Sequence, residues 1–233
     1  RQVSELRRSP EYTVRVFSRR LLPAVAALCA VLMLPYSTLA HREHATAYSD
    51  KYADDPNSGC WPVFAGADCT NFQSQALYAG GLNMIPNGNT AEWYCVPWWP
   101  SYNNSNSWSV TYDLINHLVV SGRASYIGNE DPRKRSGTAY RNRANRGDLL
   151  FYDLPSVYPP DGPQSRDHAS MEIVFDRYHL ENSANNYLYG DVVNYHTINT
   201  KHAIWNLYHA HPYCVTGPNV SIVLYRLHYP GDH

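Results

Sequence analysis

The sequence predicts an α+β fold in which helices come first and pack on an antiparallel β-sheet formed by the later half of the chain. Two observations carry this. Apolar residues recur at spacings of three and four around Cys69 and again around Leu114, whereas after Gly147 they come in short runs rich in β-branched and aromatic residues. The two patterns do not alternate, so nothing signals the βαβ units of a parallel sheet.

The 233 residues divide unevenly. Residues 1–20 are basic and end in Arg19-Arg20, residues 21–34 are almost uninterruptedly apolar, and Ser37-Thr38-Leu39-Ala40 offers small residues for cleavage. These are the three parts of a secretory signal, and the apolar run is shorter than the roughly 20 residues that span a bilayer. The expectation is a cleaved segment 1–40, no stable membrane anchor, and a single exported domain over residues 41–233. Six of the 19 Lys and Arg and two of the 20 Asp and Glu lie in the segment, which leaves 13 against 18, a net charge of about −5. A mildly acidic domain without a long basic patch is a poor nucleic-acid binder. The four cysteines left are Cys60, Cys69, Cys95 and Cys214. If Cys69 stays reduced, at most one disulfide forms; Cys60–Cys95 is the expected pair, with Cys214 buried, although sequence does not set pairing.

Taken in order, residues 41–52 read as an amphipathic helix and residues 54–62 as a turn-rich loop. Cys69, Phe72, Ala76 and Ala79 share one helical face, with Asp68 placed to cap it and Gly80-Gly81 to stop it. Residues 82–107 are irregular and carry Trp93, Trp98 and Trp99. A second helix is expected over 110–119, then a polar stretch over 121–147. Strands are expected at 149–152, 168–176, 188–196 and 220–228, the last as an edge strand of a C-terminal extension over 201–233.

A cysteine acts as a nucleophile only as thiolate, which a helix N-terminus and a neighbouring imidazolium favour. Cys69 sits in the first turn of its predicted helix, where unsatisfied amides also suit a developing oxyanion. A buried, inert thiol accounts for the same position. Of the 11 histidines, His168 is best placed as base, opening a predicted strand. His196 and Asn194 share a face of the next strand, and Asn199 follows in a loop; each is a candidate to orient the base. His202, His209 and His211 lack a compact metal motif, so no metal or other cofactor is expected. Trp93, Trp98, Trp99 and Trp108 suit either a substrate groove or core packing.

The run Asp68-Cys69-Thr70-Asn71-Phe72-Gln73-Ser74-Gln75-Ala76-Leu77, followed by Ala79-Gly80-Gly81, resembles the signature of the putative amidase domain family of bacterial secreted and sporulation-related proteins. Ser107-Trp108, Gly147-Asp148-Leu149, His168-Ala169-Ser170 and Tyr195-His196-Thr197 with Asn199-Thr200 are similar to its later segments. Gln73 departs from the usual valine, Ala76 from a common cysteine, and Asn199 from a frequent aspartate. The resemblance implies a papain-like fold related to CHAP amidases and cell-wall endopeptidases, with Cys69 as nucleophile and His168 as base. It favours His196 as orienter, with Asn199 and Asn194 as alternatives, and puts Asp68 and Gln73 beside the substrate. It further implies a secreted bacterial monomer acting on peptidoglycan or a peptide without cofactor; the competing readings are an inactive wall- or glycan-binding module and a disulfide-stapled structural protein.

Overall fold

The computed structural model describes residues 41–86, 92–96, 103–130, 144–153, 168–174, 179–180, 187–188, 191–205 and 221–232. The expected signal segment, Trp98, Trp99, His209, His211 and Cys214 lie outside the described residues.

Helix α1 is His41–Tyr52 and helix α2 is Cys69–Ala79. Asp68 holds the N-cap position of α2, but its side chain makes no bond to the helix's own amides. Gly80 and Gly81 end α2, the second at φ +87°. They also admit close neighbours: a Cβ on Gly80 would lie 2.6 Å from Tyr229 Cε1 and 2.8 Å from Ala45 Cβ. The pair is therefore where α1 and the C-terminal residues close on the end of α2.

Next come two short paired strands, β1 (Cys95–Val96) and β2 (Asn103–Asn104), the single turn α3 (Asn106–Ser109) and helix α4 (Thr111–Val120). The expected helix over 110–119 matches α4 to within a residue. Cys95 is a buried thiol rather than half of a Cys60–Cys95 disulfide, and burial pushes it up to about 12.

The main sheet contains β3 (Ala124–Glu130), β4 (Leu149–Asp153), β5 (His168–Val174), β8 (Val192–Tyr195), β9 (Thr200–Ile204) and β10 (Ser221–Leu227). Its order is β3-β10-β4-β5-β8-β9, and every neighbouring pair is antiparallel. The strands β6 (His179–Leu180) and β7 (Tyr187–Leu188) pair separately. The α+β architecture with N-terminal helices and an antiparallel sheet is as the sequence predicts.

Three elements differ from expectation. β10 is not an edge strand: it lies between β3 and β4 and pairs with both. β3 falls in the stretch taken as polar, because Gly128 and a bulge opposite Leu224 and Tyr225 break its alternation. The strand expected over 188–196 ends at Tyr195, and His196 opens a turn.

Both faces of the sheet are covered. Leu149 and Phe151 pack with Ala169, Met171, Leu227, Leu114 and Leu118 on the helical side. Leu150 and Tyr152 pack with Val193, Tyr195, Ile204, Trp205 and Ile222 on the other. A strand buried on both faces reads as a continuous apolar run rather than an alternating one, which accounts for Leu149-Leu150-Phe151-Tyr152.

Asp148, just before that run, is wholly buried and ties the ends of the domain together. Its carboxylate accepts from Arg42 at 2.8 Å, Arg226 Nε at 2.7 Å, and the backbone N–H groups of Asn145 and Leu227 at 2.8 and 3.1 Å. Arg42 also reaches Asp232 at 2.8 Å, and the Tyr229 hydroxyl donates to the Gly147 carbonyl at 2.9 Å.

Candidate active site

Cys69 is the first residue of α2, and only 6% of its surface is exposed. Burial pushes its thiol up; hydrogen bonds from the Ala169 backbone N–H, the Thr70 hydroxyl and backbone, and the Thr197 hydroxyl act in the opposite direction. The Thr70 oxygen lies 3.8 Å from the sulfur and 2.7 Å from the Thr111 hydroxyl. Three elements meet around the first turns of α2: the helix itself, the start of β5 through Ala169, and the turn after β8 through Thr197, whose Oγ1 accepts from the Asp68 N–H at 3.0 Å. Desolvation disfavours the thiolate and hydrogen bonding favours it, so this site holds the two effects in opposition.

His168 opens β5, where its backbone pairs with Tyr152 of β4; its side chain is outside the described residues. Its chain neighbour Ala169 accepts from Gln73 Nε2 at 3.5 Å, so the beginning of β5 lies against α2. β8 runs alongside with Met171 opposite Asn194. Continuing that antiparallel register carries the turn 196–199 alongside His168.

His196 sits in that turn, but not free to orient another imidazole. Its Nδ1 is 2.6 Å from Asp68 Oδ2 and its Nε2 is 2.8 Å from the Tyr52 carbonyl, while the ring stacks on Phe72 at 3.7 Å. Each ring nitrogen thus faces an oxygen, one of a carboxyl group and one of a backbone carbonyl. The other oxygen of Asp68 accepts from Phe64 N–H and Asn71 Nδ2, each at 2.8 Å. The expectation that His196 holds His168 therefore gives way to a different role: with Asp68 it pins the turn to the start of α2.

Asn194 is likewise occupied. Its Nδ2 donates to Asp50 at 2.9 Å, and its Oδ1 accepts the His202 N–H at 2.7 Å. His202, weighed above as a metal ligand, places Nε2 2.8 Å from Asp50 instead. Asn199 is exposed in the turn, the one orienter candidate among the described residues that these contacts leave in place.

Every polar side chain of the α2 motif is buried and makes at least one hydrogen bond, while Gln73 Oε1 makes none. Asn71 donates to Pro62 and accepts from Trp108 Nε1 at 2.7 Å. Gln73 donates to the carbonyls of Ala169 and Asn194 at 3.5 and 3.2 Å, joining α2 to β5 and β8. Ser74 accepts from Trp93 Nε1 at 3.1 Å, and Gln75 from the Tyr48 hydroxyl at 2.7 Å. Buried polar groups need such partners, so the motif is read by its own fold as much as by a substrate. Gln73 is a strand clamp rather than a pocket wall, and Asp68 is a buried anchor. Trp93 and Trp108 are fully buried, with ring centroids 4.8 Å apart, and belong to the core rather than to a groove.

Thr197 was not singled out by sequence reasoning beyond its place after His196. The signal that would have found it, two successive left-handed residues, exists only in three dimensions: Thr197 and Ile198 have φ of 69° and 68°. Such backbone costs about 1–3 kcal/mol per residue and persists where the surroundings impose it.

The model of one family, described as putative amidase domain, matches residues 40–216. No curated protein and no solved structure matches the chain.

Proposed function

The chain belongs to the putative amidase domain family, and we propose that it is a papain-like cysteine amidohydrolase in which Cys69 is the nucleophile and His168 the base. The supporting observation is the bond from Gln73 of α2 to the Ala169 carbonyl at 3.5 Å, which holds the residue after His168 against the helix that Cys69 begins.

In the proposed reaction His168 takes the Cys69 proton, and the thiolate attacks an amide carbonyl. The amide N–H groups at the start of α2 face the oxyanion. The C–N bond breaks as His168 returns the proton to the leaving amine, leaving a thioester. Water, deprotonated by His168, then releases the acid and restores the thiol. Asn199 is the group assigned to orient His168. No cofactor is required.

Peptide or muramoyl amides of peptidoglycan are the proposed substrates, because residues 1–40 carry the pattern of an export signal. The proposed setting is the bacterial wall, outside the cell, for a monomer that binds no nucleic acid. Among the described residues no helix is long and apolar enough to cross a membrane.

The test is release of new amino groups from purified peptidoglycan and from its stem peptides. Cys69→Ala and His168→Ala are each expected to lower the rate by at least about 10³-fold with unchanged circular dichroism. Wild-type release by the Cys69 variant would end this reading. The burial of Cys69 supports a second one, a wall-binding module without turnover; retained binding in Cys69→Ala together with no release by the unmodified protein would select it.

A further inference from the structure

Thr197 and Ile198 are consecutive β-branched residues in left-handed backbone, at φ 69° and 68°, where such side chains are rarely found. Thr197 has a local reason to be there. Its Oγ1 accepts from the Asp68 N–H at 3.0 Å and holds the turn 196–199 to the residue before Cys69. Nothing comparable holds the Ile198 side chain, which is 55% exposed. Its carbonyl accepts from the Thr200 hydroxyl at 2.9 Å, a bond that any residue in that position makes equally well. Glycine or asparagine suits the same backbone and puts less apolar surface in water.

Two more exposed apolar side chains stand beside the same few residues. Val63 precedes Phe64, whose N–H donates to Asp68 Oδ1 at 2.8 Å. Val110 precedes Thr111, whose hydroxyl lies 2.7 Å from that of Thr70. Ile198, Val63 and Val110 thus come from three distant parts of the chain. Each is one residue away from a contact to Asp68 or Thr70, the two neighbours of Cys69. The segments 63–67, 109–112 and 196–200 contain no Asp, Glu, Lys or Arg, and their one histidine, His196, is buried.

We propose that Ile198, with Val63 and Val110, forms an apolar subsite beside Cys69 that selects amide substrates carrying an uncharged, apolar side chain near the scissile bond. This rests on Cys69 being the nucleophile. Substrate surface laid on Ile198 recovers the burial that its exposed position forgoes. A charged side chain placed there loses hydration, and these three segments offer no opposite charge in return. The substrate is the occupant because the three side chains are gathered around the start of α2 instead of lying along one outward face of a single element.

The experiment measures, by titration calorimetry, the binding of end-blocked Ala-Ala-Xaa-Ala-Ala peptides to the Cys69→Ala protein, with Leu, Asp or Lys as Xaa. Cleavage of the same peptides by the unmodified protein is followed in parallel. The Leu peptide is expected to bind about tenfold more tightly than the other two, and kcat/KM to follow the same order. Ile198→Asn is expected to cut that preference to about threefold or less, through KM rather than kcat, while the urea midpoint holds or rises. Ile198→Leu, which keeps the apolar surface, is expected to keep the preference. Equal affinities for the three peptides, no affinity for any, or an unchanged preference in Ile198→Asn overturns the proposal. So does self-association that Ile198→Asn abolishes, which assigns the patch to a second copy of the chain. Preferential binding without cleavage upholds the subsite and ends the reading of Cys69 as nucleophile; cleavage without preference does the reverse.

Discussion

Asp68 and His196 show how little a residue's role is set by its type. Asp68 was a candidate for contact with substrate and His196 for orienting the base, yet their side chains are 6% and 1% exposed and face each other at 2.6 Å. Removing one member of a buried hydrogen-bonded pair leaves the other unsatisfied, at a cost of about 1–3 kcal/mol. His196→Ala is therefore expected to lower the urea midpoint sharply, and to lose activity together with fold. Asn199→Ala changes an exposed turn residue and should leave the midpoint within about 0.5 kcal/mol of wild type. Its rate should fall about tenfold or more if it orients the base. Unfolding curves and steady-state rates for the two variants check this; a stable His196 variant that loses only rate would return the orienting role to His196.

At the scale of elements, the contacts of Asp148 explain why a Gly-Asp pair precedes β4. One carboxylate joins α1 through Arg42, β10 through Arg226 and Leu227, and its own turn through Asn145. Asp148→Ala leaves two guanidinium groups without it and should destabilise by about 3–5 kcal/mol. The contrasting pair is Asp50 with His202, which is 35% and 40% exposed. Asp50→Asn, which keeps an acceptor oxygen for Asn194, is expected to cost no more than about 1 kcal/mol. Equal midpoints for the two variants in urea would show that the Asp148 network does not bind the elements as described.

For the whole molecule, the position of β10 matters most. A strand flanked by β3 and β4 cannot be removed without exposing both neighbours and both buried faces, and Ile222, Leu224 and Leu227 are fully buried. Truncation before Ser221 is expected to abolish cooperative unfolding as followed by circular dichroism and calorimetry. A truncated chain that still unfolds cooperatively, with near-wild-type enthalpy, would make the C-terminal segment the peripheral extension that its position in the chain suggests.

The sequence by itself determined the class of fold, helices α2 and α4, strand β4 and the beginning of β5, because each rests on local signals: apolar spacing, glycine stops and a doubly buried run. The motif around Cys69 was legible for the same reason, being contiguous. Only the tertiary structure decided where β10 inserts, that β3 and β9 exist, and that Trp93, Trp108 and Gln73 serve the core. These depend on pairings between residues far apart in the chain, which periodicity does not encode. The same holds at the start of α2. His196 meets Asp68 and Tyr52, and Thr197 accepts from the Asp68 N–H, across more than a hundred residues of chain. A hydrogen bond depends on distance in space, so the partners of His196 and Thr197 could be read only once the turn 196–199 had been folded onto the start of α2.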